Sequence, residues 1–111
     1  MPQQIERITK EVAVTIADSA SNSSGLAIDD CAYGMLEMPA AMTGSTLTVQ
    51  GKTASGSFMN VVDSSGNTQT ITFVASSMAR IPDAAFGARE IRFVSSGTED
   101  AERSFVAVLK S

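Results

Sequence analysis

The amino-acid sequence predicts an all-β fold, a single-domain antiparallel β-sandwich of about seven or eight strands. Three observations predict it. The eight glycines fall at 25, 34, 44, 51, 56, 66, 87 and 97, and most of the intervals match the spacing of turns in all-β proteins. Between them, β-branched and aromatic residues alternate with polar or small ones, as a strand with one buried face requires. No long segment carries the apolar stripe of an amphipathic helix.

Residues 1–10, "MPQQIERITK", read as an N-terminal arm, and 11–111 as the sandwich domain. In the arm, Ile5 and Ile8 are placed to anchor a short helix or to lie on a neighbour, while a frayed terminus is the default. The first strand is Glu11 to Ala17, with Val12, Val14 and Ile16 on one face. A flexible, serine-rich loop over 19–24 follows. Gly34 to Met38 is the next strand, ended by Pro39, which has no N–H for a ladder bond. The small residues after it let the chain cross between sheets before Thr46 to Gln50 resumes the alternation with Leu47 and Val49.

Ser57 to Val62 and Thr68 to Val74 form a predicted hairpin, closed by Asp63 bonding backbone ahead of it while Gly66 or Asn67 takes positive φ. In "IPDAAFG", Pro82 suits the start of a short helical turn and Gly87 its end. "REIRFV" places Ile91 and Phe93 inward and Glu90 and Arg92 outward, so a one-residue slip would bury charge. "TEDAER" fits one helical turn with Glu99 and Arg103 as a weak exposed pair, and its acidic residues read as a solvated loop. The final strand, "SFVAVLK", is apolar on both faces, which suggests either an inner position or a contact surface.

Composition narrows the function. At 111 residues the chain is long enough for one core that buries roughly two-thirds of the unfolded surface. With 43% hydrophobic and 18% charged residues it is globular in character. A net charge of −4 and scattered basic residues argue against nucleic-acid binding. No apolar stretch reaches the length of a membrane span, and the N-terminus lacks the apolar core of a signal peptide, so a membrane partner is not expected and synthesis in the cytoplasm is. Cys31 is the single cysteine, which excludes an intrachain disulfide and points to structural burial of the thiol.

Catalytic chemistry finds little footing. Histidine, the commonest general base, is absent. Lys10, Lys52 and Lys110 read as solvated charges at strand ends or turns rather than as desolvated bases. Asp29 and Asp30 are adjacent, and neighbouring strand positions point to opposite faces and would not share a proton, so the pair reads as a turn or a solvated strand end. The oxygen ligands of a calcium loop are missing around Asp63. The expectation is therefore a protein that is not an enzyme and uses no cofactor or metal. Six methionines are many for this length, and flexible thioethers suit irregular cores and adaptable contact surfaces alike.

The segments "EMPAAMTGSTLTVQ", "GSFMNVVDSSGN", "IPDAAFGAREIRFVSSGT" and "ERSFVAVLK", in that order, resemble a recurrent type of small virion protein of tailed bacteriophages over residues 33–110. Size and composition make the chain similar to the capsid staple, cement or decoration proteins of short-tailed phages, which are jelly-roll β-sandwiches. That resemblance implies a structural virion protein on the outer capsid surface, bridging neighbouring major capsid protein subunits and self-associating as a homodimer. The expected contact residues for capsid or dimer are Gln4, Ile5, Ile8, Met35, Met38, Met42 and Met59. The alternative is a carbohydrate-binding or adhesive sandwich module of a head or tail fibre, which would need an exposed aromatic platform. The chain's lack of tryptophan and its short "SSGTED" loop give that reading little help.

Overall fold

The computed structural model describes residues 9–111; the predicted contacts Gln4, Ile5 and Ile8 lie outside them. The described residues form nine strands: β1 (Thr9–Ile16), β2 (Leu26–Ala27), β3 (Tyr33–Glu37), β4 (Thr46–Lys52), β5 (Met59–Asn60), β6 (Thr70–Thr72), β7 (Met78–Arg80), β8 (Glu90–Ser95) and β9 (Arg103–Lys110). They build two antiparallel sheets. Sheet A has the order β1-β9-β3-β7, and sheet B the order β2-β8-β4-β5 with β6 also pairing β4.

Because β5 and β6 occupy successive stretches of the same flank of β4, they share one position in sheet B. Counted that way there are eight strand positions, and the chain crosses repeatedly between the layers in the jelly-roll manner. The predicted sandwich is thus the observed one. Its strands pair mostly with partners distant in sequence: β1 with β9, β3 with β9, and β4 with β8.

Alternation builds the core. On β1 and β9, Val14, Ile16, Phe105, Ala107 and Leu109 point inward; on β4 and β8, Leu47, Val49, Ile91 and Phe93 do so from the opposite layer. Phe93 and Phe105 meet edge to face across the two sheets, with ring centroids 6.1 Å apart, so one aromatic pair ties the layers together. Ile91 and Phe93 are fully buried, as the pattern in "REIRFV" requires.

Four details depart from the sequence reading. The predicted hairpin over 57–74 forms at its tip, where Val62 bridges Thr68, Gln69 N–H donates to the Val61 carbonyl and Asp63 N–H to the Asn67 carbonyl; its outer parts, β5 and β6, pair successively with β4 rather than with each other. Its turn has the expected chemistry: one Asp63 carboxylate oxygen accepts from the Ser65 and Asn67 N–H groups, and Gly66 has φ +82°. Those two N–H groups hold the Asp63 carboxyl below its ordinary pKa.

Strands β2 and β7 escape a pattern reading because two or three residues are too few to display a period. The segment "IPDAAFG" forms a 3-10 helix over Asp83–Gly87 after Pro82, close to expectation. "TEDAER" forms no helix, and Glu99, expected in a solvated loop, is fully buried.

Glu99 is buried because it replaces backbone partners that the corner after β3 lacks. Its carboxylate accepts from Thr43 N–H at 2.8 Å and Gly44 N–H at 3.0 Å, from the Ser95 hydroxyl at 2.7 Å, and from Arg103 Nε at 3.1 Å. A Cβ at Gly44 would collide with the Ser95 hydroxyl, so only glycine fits at this approach. Burial opposes the charge on Glu99, but the two N–H groups, the hydroxyl and the guanidinium together outweigh it and hold the pKa at about 2. This network pins the corner that carries the chain from sheet A to sheet B.

Candidate functional site

A sandwich has two outer faces, and here they differ in kind. On the outside of sheet B, cross-strand rows read Thr72–Thr46, Thr70–Thr48–Val94, Asn60–Gln50–Arg92 and Lys52–Glu90–Ala27. Val94 and the small Ala27 are the apolar side chains among them. Arg92 Nε donates to Gln50 Oε1 at 2.8 Å and Gln50 Nε2 to Asn60 Oδ1 at 2.9 Å, a polar ladder of the sort expected on a solvated sheet. The Phe58 ring at its margin is covered by Arg92 at 4.5 Å and Lys52 at 5.5 Å from the ring centroid.

The outside of sheet A reads otherwise. One row is Glu11–Val108–Met35–Arg80, the next is Ala13–Val106–Glu37–Met78, and Thr9–Lys110–Tyr33 lies beside the first. Val106, Val108 and Met35 form a contiguous apolar centre over β9 and β3, with Ala13 on one flank and Met78, 48% exposed, on the other. Glu11 on β1 and Arg80 on β7 sit at the lateral margins, Arg80 with its guanidinium stacked on Tyr33 at 5.1 Å and bridged to Asp83 at 2.9 Å, while Glu37 at the end of β3 stands between Val106 and Met78. Strand β9 is an inner strand of its sheet, the first of the two readings of "SFVAVLK", and its outer side is apolar.

A second apolar surface lies at the β5–β6 flank of sheet B. Met59 is 70% exposed and Val62, three residues on, is exposed as well, whereas Val74 lies past the far end of the flank, beyond the Thr72–Thr46 pair. Beside Met59 is an open cleft of about 320 Å³ with an apolar floor of Gly51, Val61 and Ala88 and with Lys52 and Arg89 among its lining residues. The floor is close-packed: a Cβ at Gly51 would come within 2.8 Å of the Ala88 Cβ. Arg89 is bridged to Asp29 at 3.3 Å, whereas Lys52 makes no ion pair among the described residues.

The predicted contact residues divide accordingly. Met35 lies at the centre of the sheet A face and Met59 beside the sheet B cleft. Met38 belongs to the core instead, 3% exposed, because it continues the inward parity of Leu36; Met42 packs partly buried against the same core. The apolar residues that the methionine pattern passed over are Val106 and Val108, whose signal was the two-sided apolar character of the last strand.

Titratable groups are dispersed. Asp29 and Asp30 face different cations, Arg89 and Lys10, the latter at 3.0 Å. The Lys10 partnership holds the Asp30 carboxyl below its ordinary pKa, and burial raises that of the neighbouring Cys31 thiol, which donates to Asp30. Among the described residues no group of three or more His, Cys, Asp or Glu side chains converges as a metal site, and no helix is long and apolar enough to cross a membrane.

Comparison with known proteins adds the fold. The chain resembles the SPBc2 prophage-derived protein YomS, with a TM-score of 0.62 and 12% identity over 98% of this chain and 100% of that one. What they share is the fold. A chain from Bacillus endospore appendages, described as disulfide-linked pili, aligns with a TM-score of 0.45 and 12% identity over 97% of this chain and 89% of that one. No family model matches the sequence. No curated protein matches it either.

Proposed function

We propose that the chain is a structural virion protein that binds the outside of a phage capsid and bridges neighbouring major capsid protein subunits, working in pairs. The observation that carries this reading is the presence of two separate apolar surfaces, one on each sheet. A bridging protein needs at least two contacts, and an enzyme would need converging reactive groups instead. The likeness of fold to a prophage-derived protein, over nearly the full length of both chains, supports a phage setting. So does the resemblance of residues 33–110 to small virion proteins.

Binding only to the assembled shell stabilises the shell by mass action, and repetition over many sites multiplies a modest gain at each. The Met59 cleft is the surface assigned to the capsid. Its apolar floor of Gly51, Val61 and Ala88 accepts a side chain. Neither catalysis nor a cofactor enters this reading. The adhesive alternative draws no support from Phe58, because Arg92 and Lys52 already occupy its ring.

The test is reconstitution. The purified chain, added to shells assembled from the major capsid protein of the same genome, should bind to saturation and raise the temperature at which the shells disrupt. Met59→Glu should weaken binding tenfold or more while leaving the fold intact. Shells that remain bare, or that bind the chain with no gain in heat resistance, would refute the stapling role.

A further inference from the structure

We infer that the outer face of sheet A binds a second copy of this chain, sheet against sheet, about a two-fold axis parallel to the strands. The inference rests on the paired-clamp reading for its biological use, and on the register of sheet A alone for its geometry.

The row Glu11–Val108–Met35–Arg80 runs acidic, apolar, apolar, basic across β1, β9, β3 and β7. A two-fold axis along the strands turns this row end for end. Glu11 then faces Arg80 of the second copy, Val108 faces its Met35, and both contacts occur twice because the interface is isologous. In the adjacent row the same operation sets Lys110 over the opposing Tyr33, a cation over a ring face. Ala13 meets Met78 in the third row.

Glu37 is the discordant member: it lies between Val106 and Met78 in this row and opposes Val106 of the second copy, although as the exposed last residue of β3 it adjoins the open space beyond that strand. An axis across the strands is worse: centred on the first row it would bring Glu11 against Glu11 and Arg80 against Arg80. Aligned packing of two sheets keeps strand directions within about 30°, which this operation satisfies. Burying Val106, Val108 and Met35 against their copies also removes the apolar centre from water, which accounts for an outer face that would otherwise be polar in a solvated sheet.

A face of four short strands is small for a specific interface, so pairing should depend on concentration between about 1 µM and 1 mM. Sedimentation analysis over that range should show the mass doubling. Val108→Lys should remain a monomer throughout, with circular dichroism and thermal midpoint unchanged. Glu11→Arg and Arg80→Glu should each weaken pairing about tenfold, and the two combined should recover most of it, a rescue that only this register produces.

Four results separate this inference from the bridging role. A dimer that ignores shells supports the pairing and defeats the bridging. A wild-type chain that is monomeric throughout yet staples shells overturns the pairing and leaves the bridging standing. A Val108→Lys dimer overturns it as well, by placing the contact elsewhere. So does a monomeric wild type whose shell binding is lost in Val108→Lys, since the face then belongs to the capsid.

Discussion

The outer faces of the two sheets are made by the same alternation and yet carry opposite chemistry. Sheet B turns threonines, Gln50, Asn60 and Arg92 outward, and the last three are joined in one hydrogen-bonded row. Sheet A turns Val106, Val108, Met35 and Met78 outward, with Glu11 and Arg80 at its lateral margins and Glu37 the one charge between apolar neighbours. Alternation specifies which residues face the core, but it does not oblige the other face to be polar. A sheet face stays solvated through the polarity of its outward residues, and an outer face that keeps apolar residues is one that a second surface can cover.

The sharpest break in this comparison lies within one strand. Phe105 and Val106 are neighbours on β9, the first buried against Phe93 and the second on the outer face. Phe105→Ala should destabilise the fold by about 3–5 kcal/mol in urea denaturation, the usual cost of emptying an aromatic core site. Val106→Thr should change stability by no more than about 1 kcal/mol while reducing binding of a hydrophobic dye. Equal losses at the two positions would mean that the outer face is part of the core.

The next effect tests the link between the sheets. The Glu99 pKa is lowered from 4.5 to about 2, so its charge contributes stability that is complete above pH 4.5 and is lost as pH falls towards 2. The contribution is of order 3 kcal/mol. Glu99→Gln should remove most of this acid limb from the stability-versus-pH curve and lower stability at pH 7, because Thr43, Gly44 and Arg103 lose their anionic partner. An unchanged acid limb in the variant would assign the limb to other carboxylates.

The smallest effect belongs to sheet B. Arg92→Gln breaks the ladder to Gln50 and uncovers Phe58, and should cost under about 1 kcal/mol, since both contacts lie at a partly solvated surface. Shell binding should be untouched, in contrast to Met59→Glu.

How far the molecule was legible in its sequence follows from the range of the interactions. Ile91 and Phe93 alternate with Glu90 and Arg92, so their inward direction is written locally; the same holds for Val14 and Ile16. The two-sided apolar pattern of β9 also marked it as central or exposed to a partner. Glu99 was misplaced because its partners Thr43 and Gly44 lie 56 and 55 residues away, and a lone acid in a polar loop carries no local mark of burial. Met38 shares the inward parity of Leu36 in a strand drawn from Gly34 to Met38, a local mark of burial that grouping the methionines by residue type overrides. The pairing of row ends on sheet A needs four strands in register and has no counterpart in any single segment.

The central claim is that contact surfaces, rather than reactive groups, do the work of this protein, with sheet A meeting its copy and the Met59 cleft meeting the shell. An image reconstruction of shells carrying the chain tests it most directly. The account predicts paired densities joined through sheet A, each touching a different capsid subunit near Met59. Solitary densities seated on the polar outer face of sheet B would contradict it.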